Sequence, residues 1–135
     1  MQQSELDELM KASAGDAVAT AREEFGLELN YSPESIILVD DLLLGFIDKY
    51  HDEVLEDQAV FTLCNIFGAY VGEVYKQLVG GEWRYDQSNP EAPHVLLAYA
   101  NNTYAFAGIC YERLVNDSQV SVKAYFDQAC THHKQ

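Results

Sequence analysis

The sequence predicts an α+β fold: three N-terminal helices, a small antiparallel sheet of about three strands, a short helix and a C-terminal helix around one core. Three observations carry this expectation. Apolar residues recur at spacings of three and four along the first half of the chain, which is the period of a helix. A Gly80-Gly81 pair then ends the longest apolar pattern, because two glycines together penalise a helix and supply positive φ. Beyond it the pattern changes to short alternating segments separated by Pro- and Asn-containing turns.

The elements follow in order. From Ser4 to Phe25, the residues Leu6, Leu9, Met10, Ala14, Ala17, Val18, Ala21 and Phe25 form one face of an amphipathic, Ala-rich helix, with Gly26 as its stop. Ser32-Pro33-Glu34 reads as the next helix start: an N-cap, a proline at the first helical position and an acid at the positive end of the dipole. That second helix extends from Pro33 to about Asp52, with a core face of Ile36, Ile37, Val39, Leu43, Leu44, Phe46, Ile47 and Tyr50. His51 to Asp57 is a polar, acidic connection. The third helix, in the segment Ala59 to Trp83, is apolar on nearly every face, the mark of a central buried helix.

Glu82 to Tyr85 alternates as a short strand, with Trp83 and Tyr85 on one face and Arg84 on the other. A loop follows from Asp86 to Pro93. His94 to Tyr99 and Thr103 to Phe106 read as two strands joined at Ala100-Asn101-Asn102, where Asn tolerates a left-handed turn. Gly108 to Val115 is a short helix or turn. Asn116-Asp117-Ser118 then caps a last helix, Gln119 to about Thr131, which points Val122, Tyr125, Phe126 and Ala129 inward. There is no internal repeat. The 135 residues fit a single domain, 1–135, long enough to bury one core.

Charge is the extreme feature. Twenty-two acidic against eight basic residues give a net charge of −14. This argues against nucleic-acid binding, which depends on Lys and Arg neutralising phosphates, and is compatible with two readings: plain solubility, or an acidic surface that meets a basic partner. No apolar run approaches the length of about 18 residues that suggests a membrane span. The start, MQQSELDELMK, lacks the basic and apolar segments of a signal peptide, so a cytoplasmic location is expected. Cys64, Cys110 and Cys130 show no CxxC spacing and are read as unpaired thiols.

Chemical motifs are absent. There is no HExxH, DxDxDG or ExxH metal pattern, no GxSxG elbow and no phosphate-binding glycine loop; catalytic, metal and cofactor residues are therefore predicted to be none. Asp40-Asp41, with Asp48 and Asp52, reads as a solvated acidic face rather than a metal site. Glu73 stands alone in the apolar third helix. It is paired in the core, with Arg84 a candidate partner, or is a carboxylate that burial tunes for acid–base work, or it reaches solvent near the end of the helix. Gly68 and Gly72, with Gly45, point to close packing of the second and third helices. Glu73, Trp83, Arg84 and Tyr85 are the candidate binding residues.

Gly68 to Trp83, GAYVGEVYKQLVGGEW, resembles small bacterial domains of unknown function. In these, a helix bearing Gly-x-x-x-Gly-Glu ends in glycine before a Trp-bearing strand, followed by a hairpin and C-terminal helices. Tyr111 to Ala129, YERLVNDSQVSVKAYFDQA, resembles their ending, although Asp117 stands where a glycine is expected. The resemblance implies a fold type and a bacterial origin, and some such domains resemble immunity proteins that bind and neutralise a toxin. The expected role is therefore a non-enzymatic, immunity- or inhibitor-like binder of a basic protein. The runner-up is a small-molecule-binding or hydrolase-like protein with Glu73 in an aromatic-lined pocket. A third reading is a homo-oligomer that pairs sheet edges.

Overall fold

One helix whose C-terminal half water scarcely reaches organises the chain. The computed structural model describes residues 2–52, 56–86 and 94–131. Within it, α3 (Asp57–Leu78) is buried without interruption from Ile66 to Tyr75. Helix α1 (Gln3–Phe25) packs against α3 and β1; its buried face is Leu6, Met10, Ala14, Ala17 and Ala21, of which the three alanines are small enough to permit close approach. Gly26 ends α1 in the left-handed conformation (φ 66°), its N–H donating to the Arg22 carbonyl. The α+β expectation holds: the described residues form five α-helices and a three-stranded antiparallel sheet. Among the described residues, no helix is long and apolar enough to cross a membrane.

Ser32 is the N-cap, its hydroxyl accepting from the Ser35 N–H at 3.2 Å. The first turn, Pro33–Ser35, is a 3₁₀ turn, and α2 proper spans Ile36–His51. Ile36, Val39, Leu42, Leu43, Phe46 and Ile47 face the core, whereas Ile37 and Leu44, expected inside, are 51% and 47% exposed. The connection before α2 is anchored by Tyr70 of α3. Its buried hydroxyl accepts from the Tyr31 N–H at 2.8 Å and lies 2.6 Å from Ser35 Oγ. These bonds hold Tyr31 at φ 62°, a conformation that only a well-fixed non-glycine residue keeps.

Strands β1 (Glu82–Asp86), β2 (His94–Tyr99) and β3 (Asn102–Tyr104) form a meander. Trp83 pairs with Leu97 and Leu97 with Tyr104, so one buried cross-strand row faces the helices. The third strand stops short of its expected end, because Phe106 already opens α4 (Phe106–Tyr111). At the hairpin the positive φ falls on Ala100 (55°) rather than on an asparagine. The expected short helix continues from α4 as a π turn, Glu112–Asn116, in which the Asp117 N–H reaches back to the Glu112 carbonyl. Helix α5 is Val122–Thr131, three residues shorter at its start than Gln119 suggested. Of the loop read from Asp86 to Pro93, Asp86 belongs to β1, and of the connection read from His51 to Asp57, the two ends belong to α2 and α3. Positions 87–93 and 53–55, the tail at 132–135 and the side chain of Tyr50 lie outside the described residues.

The start of α5 is set by a residue from the other half of the chain. Asp40, read from sequence as part of a solvated acidic face, is 9% exposed. One carboxylate oxygen accepts the Val122 N–H (2.7 Å); the other accepts the Lys123 N–H and the Ser121 hydroxyl (both 3.0 Å). Two of the orphan N–H groups of the helix are thereby satisfied, with a negative charge at the positive end of its dipole. Ser121 Oγ takes the Ala124 N–H, which makes Ser121 the local cap in place of Asn116-Asp117-Ser118. Arg113 completes the joint: its Nε lies 3.3 Å from the Asp40 carboxylate and donates to the Asp40 carbonyl, while Nη1 donates to the carbonyls of Ser118 and Val120.

Removing one member of a buried charged network costs several kcal/mol, and losing a local cap about one. Asp40→Ala is therefore expected to lower unfolding free energy by about 3 kcal/mol and Ser121→Ala by about 1 kcal/mol, read from urea denaturation midpoints. Asp41→Ala, one residue along and exposed, is the control. Equal effects at Asp40 and Asp41 would show that the joint does not hold α5.

Candidate functional site

The four candidate residues meet different fates. Trp83 is 2% exposed, and its indole N–H donates to Glu73 Oε2 at 2.9 Å. Lys76, one turn along α3, places its ammonium 3.6 Å from the same oxygen. Arg84, the partner considered for Glu73, points elsewhere and pairs with Glu82 at 2.8 Å on the exposed face of β1. Tyr85 shares a face with Trp83 by alternation but is 42% exposed. Glu73 is thus a buried carboxylate held by an indole donor and a nearby ammonium, an arrangement that fixes a tryptophan.

The glycines explain why a tryptophan fits. A Cβ on Gly72 would overlap the Trp83 six-membered ring, so the indole lies directly on the helix backbone. A Cβ on Gly68 would come within 2.5 Å of the Ala107 backbone at the start of α4, and one on Gly45 would meet the Phe25 ring of α1 at 2.7 Å. The expected close packing of α2 on α3 is therefore replaced by three separate approaches: Trp83 on Gly72, α4 on Gly68, and the end of α1 on Gly45. A sheet side chain and a short helix take the space that spacing alone assigned to a helix pair. Gln3 of α1 adds an outer tie, donating to the Trp83 carbonyl at 2.8 Å.

Beside this lock, where α1, α3, α4 and the sheet meet, the surface opens into a cleft of about 440 Å³. Its apolar walls include Leu9, Met10, Trp83, Val95 and Leu96. Ser13 and Asn65 contribute polar groups from α1 and α3, and Gly68 and Gly108 are also among the lining residues. Glu73, Arg84 and Tyr85 are not among the lining residues; of the four sequence candidates only Trp83 reaches the cleft. Sequence reasoning missed the rest of this site. Its one signal was Asn65, a polar residue inside an otherwise apolar helical run.

None of the three cysteines forms a disulfide, and all are buried. Burial pushes the Cys64 thiol up from 9.0 to about 12 and raises Cys110 well above its ordinary value. Burial likewise raises the Tyr70 and Tyr75 phenols. A thiol held protonated is a poor nucleophile, so these cysteines pack as small hydrophobes. The chain matches no protein-family model, no curated protein and no solved structure.

Two outcomes follow. Gly72→Ala is expected to cost about 1–3 kcal/mol by forcing the indole off α3, and Glu73→Gln about 1 kcal/mol by exchanging a charged acceptor for a neutral one. Chemical denaturation followed by Trp83 emission reads both, and wild-type midpoints would refute the lock. The second outcome concerns pH. The thiol and phenols stay protonated in the fold at pH values where the unfolded chain has released them. Their stabilising contribution is therefore complete below about pH 9 and falls as pH rises towards 12. Urea midpoints compared at about pH 8 and about pH 11 should decline; a constant midpoint would contradict the assignment.

Proposed function

We propose that this chain is a small bacterial, cytoplasmic, non-enzymatic protein-binding module of the immunity or inhibitor kind, whose acidic surface meets a basic partner. The observation that carries the reading is the outward face of α2. Ile37, Asp41, Leu44 and Asp48 follow one another at helical spacing, and all four are exposed. Two large aliphatic side chains, each about half accessible, alternate there with carboxylates. Such a stripe suits a partner surface that presents apolar side chains between basic ones, where burial supplies affinity and charge supplies orientation and rate.

The charge arrangement supports the same reading. Arg22, Lys76, Arg84, Arg113 and Lys123 are each matched to a carboxylate of the chain itself. These pairs use five of the eight basic residues, while Glu5, Glu8, Asp16 and Glu23 remain along the outward face of α1. The resemblance of Gly68 to Trp83 to small bacterial domains points in the same direction.

The test is capture from a bacterial lysate on immobilised protein, comparing the wild type with a variant carrying Asp41→Lys and Asp48→Lys. A basic protein retained at low salt, released at about 1 M salt where the Debye length is about 3 Å, and lost by the variant is the expected result. Retention that is equal for both proteins, or no retention at either salt, would count against the proposal.

A further inference from the structure

We infer that the cleft between α1, α3, α4 and the sheet is a binding site for an uncharged small molecule with an apolar body and one hydroxyl or amide head. Its volume of about 440 Å³ lies within the range of small-molecule sites, about 300–1,000 Å³. Its chemistry selects the class. In a chain with 22 acidic residues, no charged side chain is among the described residues that line the cleft. A charged ligand would give up its hydration there without a counter-ion, and an anion would also meet the field of a protein of net charge −14.

The walls define body and head. Met10, Trp83, Val95 and Leu96 offer apolar surface, and Leu9 at the same cleft is 48% exposed, a large aliphatic side chain with room for a cover. Ser13 Oγ and the Asn65 carboxamide make no side-chain hydrogen bond within the described residues, and each can both donate and accept. They suit a neutral head that also does both. The Trp83 wall is set before any ligand arrives, because the ring is seated on Gly72 and its N–H is held by Glu73, so binding spends little on ordering it.

The experiment is titration of the full chain with 1-octanol, and separately with octanoate as the same chain bearing a charge. Binding is followed by the emission of Trp83, the single tryptophan, and by amide shifts in ¹H–¹⁵N spectra. Saturable binding of 1-octanol is expected, with shifts at Val95, Leu96 and Gly108. Octanoate should bind at least about tenfold more weakly, a difference of about 1.4 kcal/mol. Ser13→Phe fills the cleft from α1 and should abolish saturation while leaving the melting temperature unchanged. Asn65→Phe, at an exposed position of α3, gives the same reading where Ser13→Phe does not fold. Non-saturating shifts, equal binding of octanoate, or undiminished binding by the filled variants would overturn the inference. The first of these is the result expected of a cleft that takes a partner's side chain instead.

Discussion

The seat of Trp83 on α3 is the contact on which the sheet side of this protein depends. A tryptophan buries some 150–250 Å² of surface, and a hydrogen bond from a neutral donor to a charged acceptor is worth more than a neutral one. Here both act at one residue: the ring rests on the helix backbone at Gly72, and the N–H is taken by Glu73 one position along. The position of β1 follows from that seat, and β2 and β3 follow through the paired row of Trp83, Leu97 and Tyr104. The N-terminal turn of α1 is tied to the same strand by Gln3. Any larger residue at position 72 would lift the sheet from the helix that it covers.

Two buried carboxylates divide the long-range organisation between them. Glu73 joins α3 to the strand that follows it, ten positions away. Asp40 joins α2 to the beginning of α5, more than eighty positions away, by doing for that helix what a local cap does for most others. Both are stabilised by N–H donors together with a basic side chain, the condition under which a buried charge is tolerated. Each carboxylate is occupied as a structural acceptor.

Much of the architecture was legible because burial imposes periodicity. The stripe of α1, the Ser32-Pro33 start, the all-round apolar α3, its Gly80-Gly81 stop and the strand from His94 to Tyr99 all appear in the chain as local patterns. Partners were not legible in the same way. Asp40 sits beside Asp41 in sequence, and nothing local distinguishes the residue that enters the core from the one that faces water; the difference is made by Ser121, Val122 and Arg113 far along the chain. Gly68 and Gly72 announced a close approach but not its occupant. Ile37 and Leu44 failed in the opposite sense, since apolar identity predicts burial only where another element arrives to cover it. The cleft was the least legible feature, being assembled from side chains on five separate elements.

The molecule thus presents two unlike surfaces to solvent. Along α1 and α2 the acids other than Asp40 stand outward, and a net charge of −14 works against compactness through self-repulsion. That cost is limited because, among the described residues, five basic side chains are placed beside carboxylates, two of them beside the buried Glu73 and Asp40 where repulsion would be least screened. Among the described residues, none that lines the cleft between α1, α3 and the sheet is charged. A neutral hollow on so acidic a chain requires that small and apolar residues, Gly68, Ala69, Ala105, Ala107 and Gly108 among them, occupy positions where the surrounding composition favours an acid. Packing accounts for Gly68, which must admit the backbone of α4. It accounts in part for Gly108 as well, since a Cβ there would crowd that of Ala105 at 3.3 Å, and both residues line the cleft.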